Sequence, residues 1–483
     1  MTTRRRPGTS TAAGAAAVLA FGLLVLATSG EPATPILSYD GESYLSAARR
    51  IAFEGKPPSI DMRPPIYPAL LAAFLRLGGS SPLVPLVHLQ RGLWLATGLM
   101  VFAVVQRLQP RQAVAVAAGV AYLTDPEVFD LTQLVYAETL AILFSVASML
   151  ALVAAPGSRG RHAAAWLAVA SAWVRPIGQL LLLPIGAAAV LASRGYRGRL
   201  RAAIPFAVAG LIGIGSMYGI QYLRTGIPSF VPMAGKCHAD YLGDRRLLGH
   251  FPPGYAPVER LYARRFEEQP DSVRIGWWDV AREWPEAYRE RTGRPLAPEA
   301  VDLDMGRTAR AVLLANPGFY LSRWREVWQD FSTTVAGPVK GRFCPISLAT
   351  PTWAVWWTWF GAWAPFALVA LEAILFVRGV GSPLRGLPAV TYALLSVANT
   401  ALESWPGQIR YRTQFVAFLV CAVALVPSGL GLLAGRTRTP MAPDPDPERT
   451  KGPGPSAPDP SRKWRRRESN PRPKELDRTL LHA

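Results

Sequence analysis

The sequence predicts an all-α integral membrane protein, a bundle of about ten spanning helices with a mostly helical outer segment. Three observations carry this. Half of the 483 residues are apolar and only 18% are charged. The apolar residues gather in blocks of about 16 to 26, close to the ~20 that cross a bilayer. The third is the placement of arginine. With the N-terminus inside, the inner segments hold Arg4 to Arg6, Arg107, Arg111, Arg159, Arg161, Arg194, Arg197, Arg199, Arg201, Arg378 and Arg385, with no Asp or Glu among them. This is the positive-inside pattern. The 52 basic against 33 acidic residues, a net +19, are therefore largely topological, and a nucleic-acid partner is not implied. The apolar content excludes a disordered chain, and three cysteines exclude a disulfide-rich scaffold.

In chain order, 1–13 read as a cytoplasmic N-terminus. The first apolar run, 14–29, reads as an uncleaved helix, because Ala27-Thr28-Ser29 offers no clear small-x-small cleavage pattern. A first outer loop covers 30–81. Within it Asp40 is placed to cap a helix running to about Glu54, and the short apolar stretch from Pro68 to Leu77 is too short to span and is expected to lie along the interface. The next runs are 82–105, 112–124, 134–155, 162–174, 177–193 and 202–222, the second and fourth of these short for a span. With the first loop they make one transmembrane region, 14–222. Residues 223–351 form a long outer segment, charge-balanced and rich in tryptophan, helical from about Ala300 to Phe331 with a break at Pro317. The runs 352–377, 387–402 and 413–434 complete the membrane part, and 435–483 read as a disordered cytoplasmic tail. Cys237 and Cys344 lie near the ends of the outer segment. A disulfide between them and two free thiols are equally open. No Cys/His spacing resembles a zinc site.

The polar residues that stand out lie in outer loops or at outer helix ends. Arg63, Arg175, Arg410 and Arg412 sit where the positive-inside rule disfavours them. Charge near the membrane costs at least about 2.5 kcal/mol by insertion scales and commonly marks function. The first loop reads Tyr39-Asp40-Gly41-Glu42-Ser43-Tyr44, then Arg63-Pro-Pro-Ile-Tyr67-Pro68. Further along come Asp125-Pro126 with Val135-Tyr136-Ala-Glu138, then Trp173-Val-Arg175-Pro176, Asn316-Pro317, and Glu403 before Arg410-Tyr411-Arg412. Each has a purely structural reading as a cap, a turn or a snorkelling arginine.

Taken in order, these motifs resemble the polyprenyl-phosphate-dependent membrane glycosyltransferases of the GT-C type, similar to family 39: the protein O-mannosyltransferases and the lipid A aminoarabinose and galacturonic acid transferases. The resemblance covers 14–434. It implies a glycosyltransferase that moves a sugar, with inversion, from a polyprenyl-phosphate donor to a lipid, glycan or protein acceptor. It implies Asp40 as base, with Asp125 as a second acidic contact. Glu42, Tyr44, Arg63, Tyr67, Glu138, Arg175, Arg410 and Arg412 would bind substrate. The family often carries two adjacent acidic residues in the first loop, and here Gly41 separates Asp40 from Glu42. Asp40, Glu42 and Asp125 are hard oxygen ligands suited to a divalent metal, although no ligand pattern compels one.

The chemistry is consistent with these residue types. Breaking the anomeric C–O bond releases a phosphate anion, which arginine neutralises well, and a direct attack needs one carboxylate to take the acceptor proton. A transporter or flippase of lipid-linked sugars is the alternative. It predicts paired, broken spans in matching halves, and no internal repeat is evident. A scaffold with a decayed site is the third reading. The Ala-, Arg-, Gly- and Pro-rich composition suggests a bacterial plasma membrane protein with both termini cytoplasmic and the active site facing the periplasm or exterior.

Overall fold

A computed structural model describes residues 9–29, 33–37, 39–55, 63–78, 81–109, 111–225, 230, 234–272, 274–333, 352–378, 382–402 and 415–436. The chain divides into two compact units, 1–434 and 435–483, and all but the first two residues of the second lie outside the described ones. Among the described residues the structure is helical with no strand. Two isolated bridges join Ile36 to Leu134 and Asp244 to Arg274.

Helix α1 (Thr9–Thr28) is followed in the first loop by α2 (Tyr39–Glu54) and α3 (Ile66–Leu77). The next five are α4 (Val84–Leu108), α5 (Gln112–Leu123), the short α6 (Pro126–Asp130), α7 (Glu138–Ala154) and α8 (Ser158–Val174). A 3₁₀ turn, Pro176–Leu181, leads into α9 (Leu182–Leu191). Helix α10 (Gly195–Ala209) continues through a π segment, Gly210–Ile214, into α11 (Gly215–Thr225). The apolar runs of the sequence are helical over most of their described parts, whereas 134–137, just before α7, hold a bridge and bends. Thr11–Thr28, Val84–Leu108 and Gly195–Leu223 are long and apolar enough to cross a membrane unaided. Gln112–Leu123 and Glu138–Ala154 are apolar but shorter, reaching about 18 and 25 Å at 1.5 Å per residue. Leucines 19, 23 and 24 of α1 and Leu211 and Ile212 of the π segment point outward. An apolar exterior of this kind suits lipid rather than water.

Helices α7 and α8 form an antiparallel hairpin at the centre. The hydroxyls of Ser145 and Ser171 lie 2.9 Å apart across it, and Ser148 Oγ donates to the Ala164 carbonyl at 2.6 Å. The hairpin shares one apolar core with α1, α4, α5 and α9. The π segment has a local cause. Gly213 packs so closely on α8 that a Cβ there would come within 2.4 Å of Val169, and its carbonyl accepts from Trp173 Nε1 at 2.9 Å.

The outer segment has a core of its own. Its helices are α12 (Ala234–Ala239), α13 (Ala256–Glu268), α14 (Trp277–Val280), α15 (Trp284–Thr292), α16 (Val301–Ala315) and α17 (Pro317–Thr333). Trp284, Tyr262 and Met305 are fully buried among them. The sequence places a helix from about Ala300 with a break at Pro317, and the structure has α16 and α17 meeting at Asn316. The last three helices are α18 (Thr352–Val377), α19 (Pro383–Leu402) and α20 (Val416–Arg436). The outer segment rests on the end of α19, where Tyr241 and Tyr320 both donate to the Ala401 carbonyl, at 3.3 and 3.0 Å. At the other end of α19, Arg385 Nε donates to both carboxylate oxygens of Glu372, each at 3.2 Å.

An ionic network joins the turn at Asp244 to α17. Arg246 donates to both Asp244 oxygens at 3.0 and 2.8 Å and to both Glu326 oxygens at 2.6 and 3.0 Å. Burial works against the Asp244 carboxylate, but hydrogen bonds from the Arg246 side chain and backbone outweigh it and hold the group below the ordinary aspartate range. The Arg246 hydrogen bond likewise lowers Glu326. A carboxylate lowered in the folded state contributes stability above its unfolded pKa, ~4 for both, and loses it as pH falls through the folded value. Tryptophan fluorescence of the purified protein should therefore report loosening of the outer segment below about pH 4, where these carboxylates protonate. Arg246→Ala should shift that loosening to higher pH.

Candidate active site

The site is built where the first-loop hairpin sits on the ends of α4, α7 and α8. Helix α2 forms because Tyr44, Leu45 and Ala48, spaced along one face, are buried together. It stops at Gly55, whose φ of +63° is left-handed backbone that glycine adopts without strain. Arg76 of α3 then covers two late carbonyls of α2, donating to Ala52 at 3.1 Å and Ile51 at 3.2 Å. The buried face of the hairpin packs on Val135, Ala137 and Val174, immediately beside Glu138 and Arg175. Seven residues singled out in the sequence thus come together: Asp40, Glu42, Tyr44, Arg63, Tyr67 and, beneath them, the Glu138–Arg175 pair.

Asp40 lies inside the first turn of α2 rather than at its cap. Its carboxylate pairs with the Arg63 guanidinium, and the two side chains keep 19% and 16% of their exposure, enough for a substrate to reach them. Arg63 Nε donates to Ser43 Oγ at 2.9 Å, and the guanidinium lies over the Tyr44 ring, 4.6 Å from its centroid. Tyr44 meets Tyr67 edge to face at 5.0 Å. Glu42 is exposed on the same turn as Asp40.

Below this layer Glu138 and Arg175 form a second ion pair, with Glu138 only 1% exposed. Local sequence places both. Glu138 opens α7, and Arg175 follows the last residue of α8, where Pro176 forces an extended backbone (φ −144°, ψ 133°). Each charge complements the dipole of its own helix end. Burial pushes the Tyr44 hydroxyl above its ordinary value, opposed by the charges of Arg63 and Arg175. Burial also carries Tyr67 well above its ordinary value. Both phenols are therefore neutral near pH 7, and the proton-accepting groups of the site are carboxylates. For Arg63, burial disfavours the charge, but Tyr44 and Asp40 raise it above the ordinary value, while Arg175 repels it.

Gln90 holds this layer in place, although nothing in the sequence reading marked it. It is 2% exposed, accepts from Tyr67 OH at 3.2 Å, and donates to the Thr132 and Leu134 carbonyls, both at 2.9 Å. A polar residue on the inward face of an otherwise apolar run was the available signal. Ile36 extends the same support, with its N–H donating to the Gln133 carbonyl at 2.9 Å.

Gly41, the departure from adjacent acidic residues, has a structural cause. A Cβ there would lie 3.3 Å from the Val135 carbonyl oxygen and 3.4 Å from its Cβ. Restoring the acidic neighbour by Gly41→Asp should therefore crowd the hairpin and cost about 1–3 kcal/mol, measurable as earlier thermal unfolding and faster proteolysis of the first loop.

Asp125 is held by local structure instead. Its Oδ1 accepts from the Val128 N–H at 3.1 Å and so caps the short α6. Among the described residues no group of three or more His, Cys, Asp or Glu side chains is placed to hold a metal. Asp40, Glu42 and Asp125 thus do not form a joint oxygen site. Glu403, Arg410, Arg412, Cys344 and the Cys237 side chain lie outside the described residues.

No protein-family model matches the chain, and no curated protein matches it. Among solved structures it is similar to the oligosaccharyltransferase of Archaeoglobus fulgidus in its apo form, at 14% identity and a TM-score of 0.45, over 90% of this chain and 52% of that one. It is similar also to the archaeal oligosaccharyltransferase AglB from the same organism, in complex with an inhibitory peptide and a dolichol-phosphate, at 12% identity and a TM-score of 0.42, over 89% of this chain and 51% of that one. A third likeness is to ArnT from Cupriavidus metallidurans bound to undecaprenyl phosphate, at 15% identity and a TM-score of 0.35, over 88% of this chain and 81% of that one. The chain spans about half the length of the two oligosaccharyltransferase chains.

Proposed function

We propose that the protein is an inverting glycosyltransferase that moves one sugar from a polyprenyl-phosphate donor to an acceptor at the outer face of the membrane. The observation that carries this is the gathering of Asp40, Arg63 and Arg175 around Tyr44, at one end of apolar helices. A partly exposed carboxylate beside two mutually repelling guanidiniums suits a reaction in which a proton is taken up and a phosphate departs. In this reading Asp40 takes the acceptor's proton as the acceptor oxygen bonds to the anomeric carbon. The anomeric C–O bond breaks on the opposite face, its electrons go to the phosphate oxygen, and Arg63 and Arg175 neutralise the departing anion. Glu138 fixes Arg175, Tyr67 is fixed by Gln90, and Tyr44 stacks beneath Arg63. Glu42, at the exposed edge, and Arg410 and Arg412, by sequence position alone, belong to the same proposed substrate contacts.

The test is sugar transfer by the purified protein from a panel of radiolabelled polyprenyl-phosphate sugars to a membrane extract. Transfer with release of polyprenyl phosphate supports an enzyme. Passage of intact donor across a proteoliposome membrane, without cleavage, would replace the proposal with a flippase.

A further inference from the structure

At the opposite end of the α7–α8 hairpin lies a cavity of about 540 Å³, within the size range of small-molecule sites. Helix α8 has 17 residues, so this cavity and the Glu138–Arg175 pair are separated by about 25 Å, close to the hydrocarbon thickness of a bilayer. The two therefore belong to opposite membrane surfaces.

Arg161, His162, Arg194 and Arg201 line one part of the cavity, and no carboxylate lines any of it. Arg161 Nε donates to the Pro156 carbonyl at 2.9 Å, and His162 Nδ1 donates to the Ser158 carbonyl at 2.9 Å, so local backbone fixes both side chains. The side chains of Arg194 and Arg201 have no hydrogen bond or ion pair among the described residues. Two helices also begin here, α8 at Ser158 and α10 at Gly195, and their dipoles add positive potential at the same place. Ser158 and Ser193 lie on the same polar side, and the opposite side is apolar, with Leu152 from α7, Ile204 and Pro205 from α10, and Leu384 from α19. A positive-inside bias explains arginines in these loops. It does not explain why three of them face one cavity that is apolar on its other side.

We propose that this cavity binds an anionic phospholipid, the phosphate held by Arg161, Arg194 and Arg201 and an acyl chain laid along Leu152, Ile204 and Leu384. The pairing of cations with apolar lining selects this ligand over a soluble phosphate, which has no use for the apolar part. The site is independent of the proposed transfer chemistry.

The experiment is equilibrium binding of fluorescent phosphatidylglycerol to the full chain in neutral detergent, with four competitors: unlabelled phosphatidylglycerol, phosphatidylcholine, glycerol 3-phosphate and inorganic phosphate. Phosphatidylglycerol alone should compete strongly. Arg194→Gln with Arg201→Gln should weaken binding about 30-fold, at ~1 kcal/mol for each arginine near a membrane surface. A Cβ at Gly198 meets nothing closer than Ser193 at 3.9 Å, so Gly198→Leu should fill the cavity and weaken binding while favouring α10. Arg199→Gln, on the same helix but outside the lining, should bind as the wild type does. Equal binding by the double variant or by Gly198→Leu would overturn the proposal, as would an equal loss in Arg199→Gln. Competition by glycerol 3-phosphate as strong as that of the lipid would overturn the lipid and leave a soluble phosphate as ligand.

Discussion

Asp40→Asn is expected to lower sugar transfer by about 10²–10⁴-fold, the range over which general-base groups act. The substitution is nearly isosteric. Asparagine keeps an oxygen for the Arg63 guanidinium but cannot take a proton. The asparagine oxygen still accepts from the guanidinium, and Arg63 keeps its hydrogen bond to Ser43, so no charge is left without a partner and thermal unfolding should shift far less than transfer. In the proposed mechanism the carboxylate acts on the acceptor's proton and the guanidiniums on the donor's phosphate, so the loss should fall on kcat with the donor KM nearly unchanged. Arg63→Gln should do the reverse and raise the donor KM. Unchanged transfer in Asp40→Asn would remove Asp40 from the mechanism and move the base to Glu42, which is exposed on the same turn. Asp125 is the weaker candidate, because its carboxylate already caps α6.

Much of the fold was legible because lipid imposes a simple rule on sequence: long apolar runs become helices, since no other unclosed structure satisfies its backbone there. The runs starting near 82, 112 and 134 became α4, α5 and α7 with ends only a few residues away. The first-loop helix to Glu54 and the break before Pro317 followed from proline and glycine punctuation. The site was legible as a set of residue types and not as a set of contacts. Arg63 is 23 residues from Asp40, and Arg175 is farther still from Glu138, so each pairing depends on how hairpins dock. Gln90 was hidden because one amide in an apolar run has no periodic signature. Gly41 appeared only as a gap between two acids, and its reason, the Val135 backbone, lies more than ninety residues away. The cavity arginines were legible as topology signals, and topology alone gives no sign that they converge.

Arg175→Gln is expected to cost about 3–5 kcal/mol, far more than any change to the Asp40–Arg63 pair, because it strands a carboxylate that is 1% exposed. In detergent this should appear as a large drop in the thermal unfolding midpoint. Glu138→Gln should cost less, since it leaves a cation of which 13% is still exposed. The informative variant is the double, Glu138→Leu with Arg175→Met. Replacing a buried ion pair by apolar groups of similar volume is often neutral or stabilising, so the double should recover most of the stability that Arg175→Gln loses. Recovery in the double would establish the two side chains as one buried unit, whereas losses that simply add would show that they act separately. The double also separates the two roles given to Arg175. If its guanidinium neutralises the donor phosphate, the refolded double should still bind donor poorly and transfer slowly. If transfer returns together with stability, Arg175 serves only to join α7 to α8, and the phosphate charge falls to Arg63 and the other outer arginines.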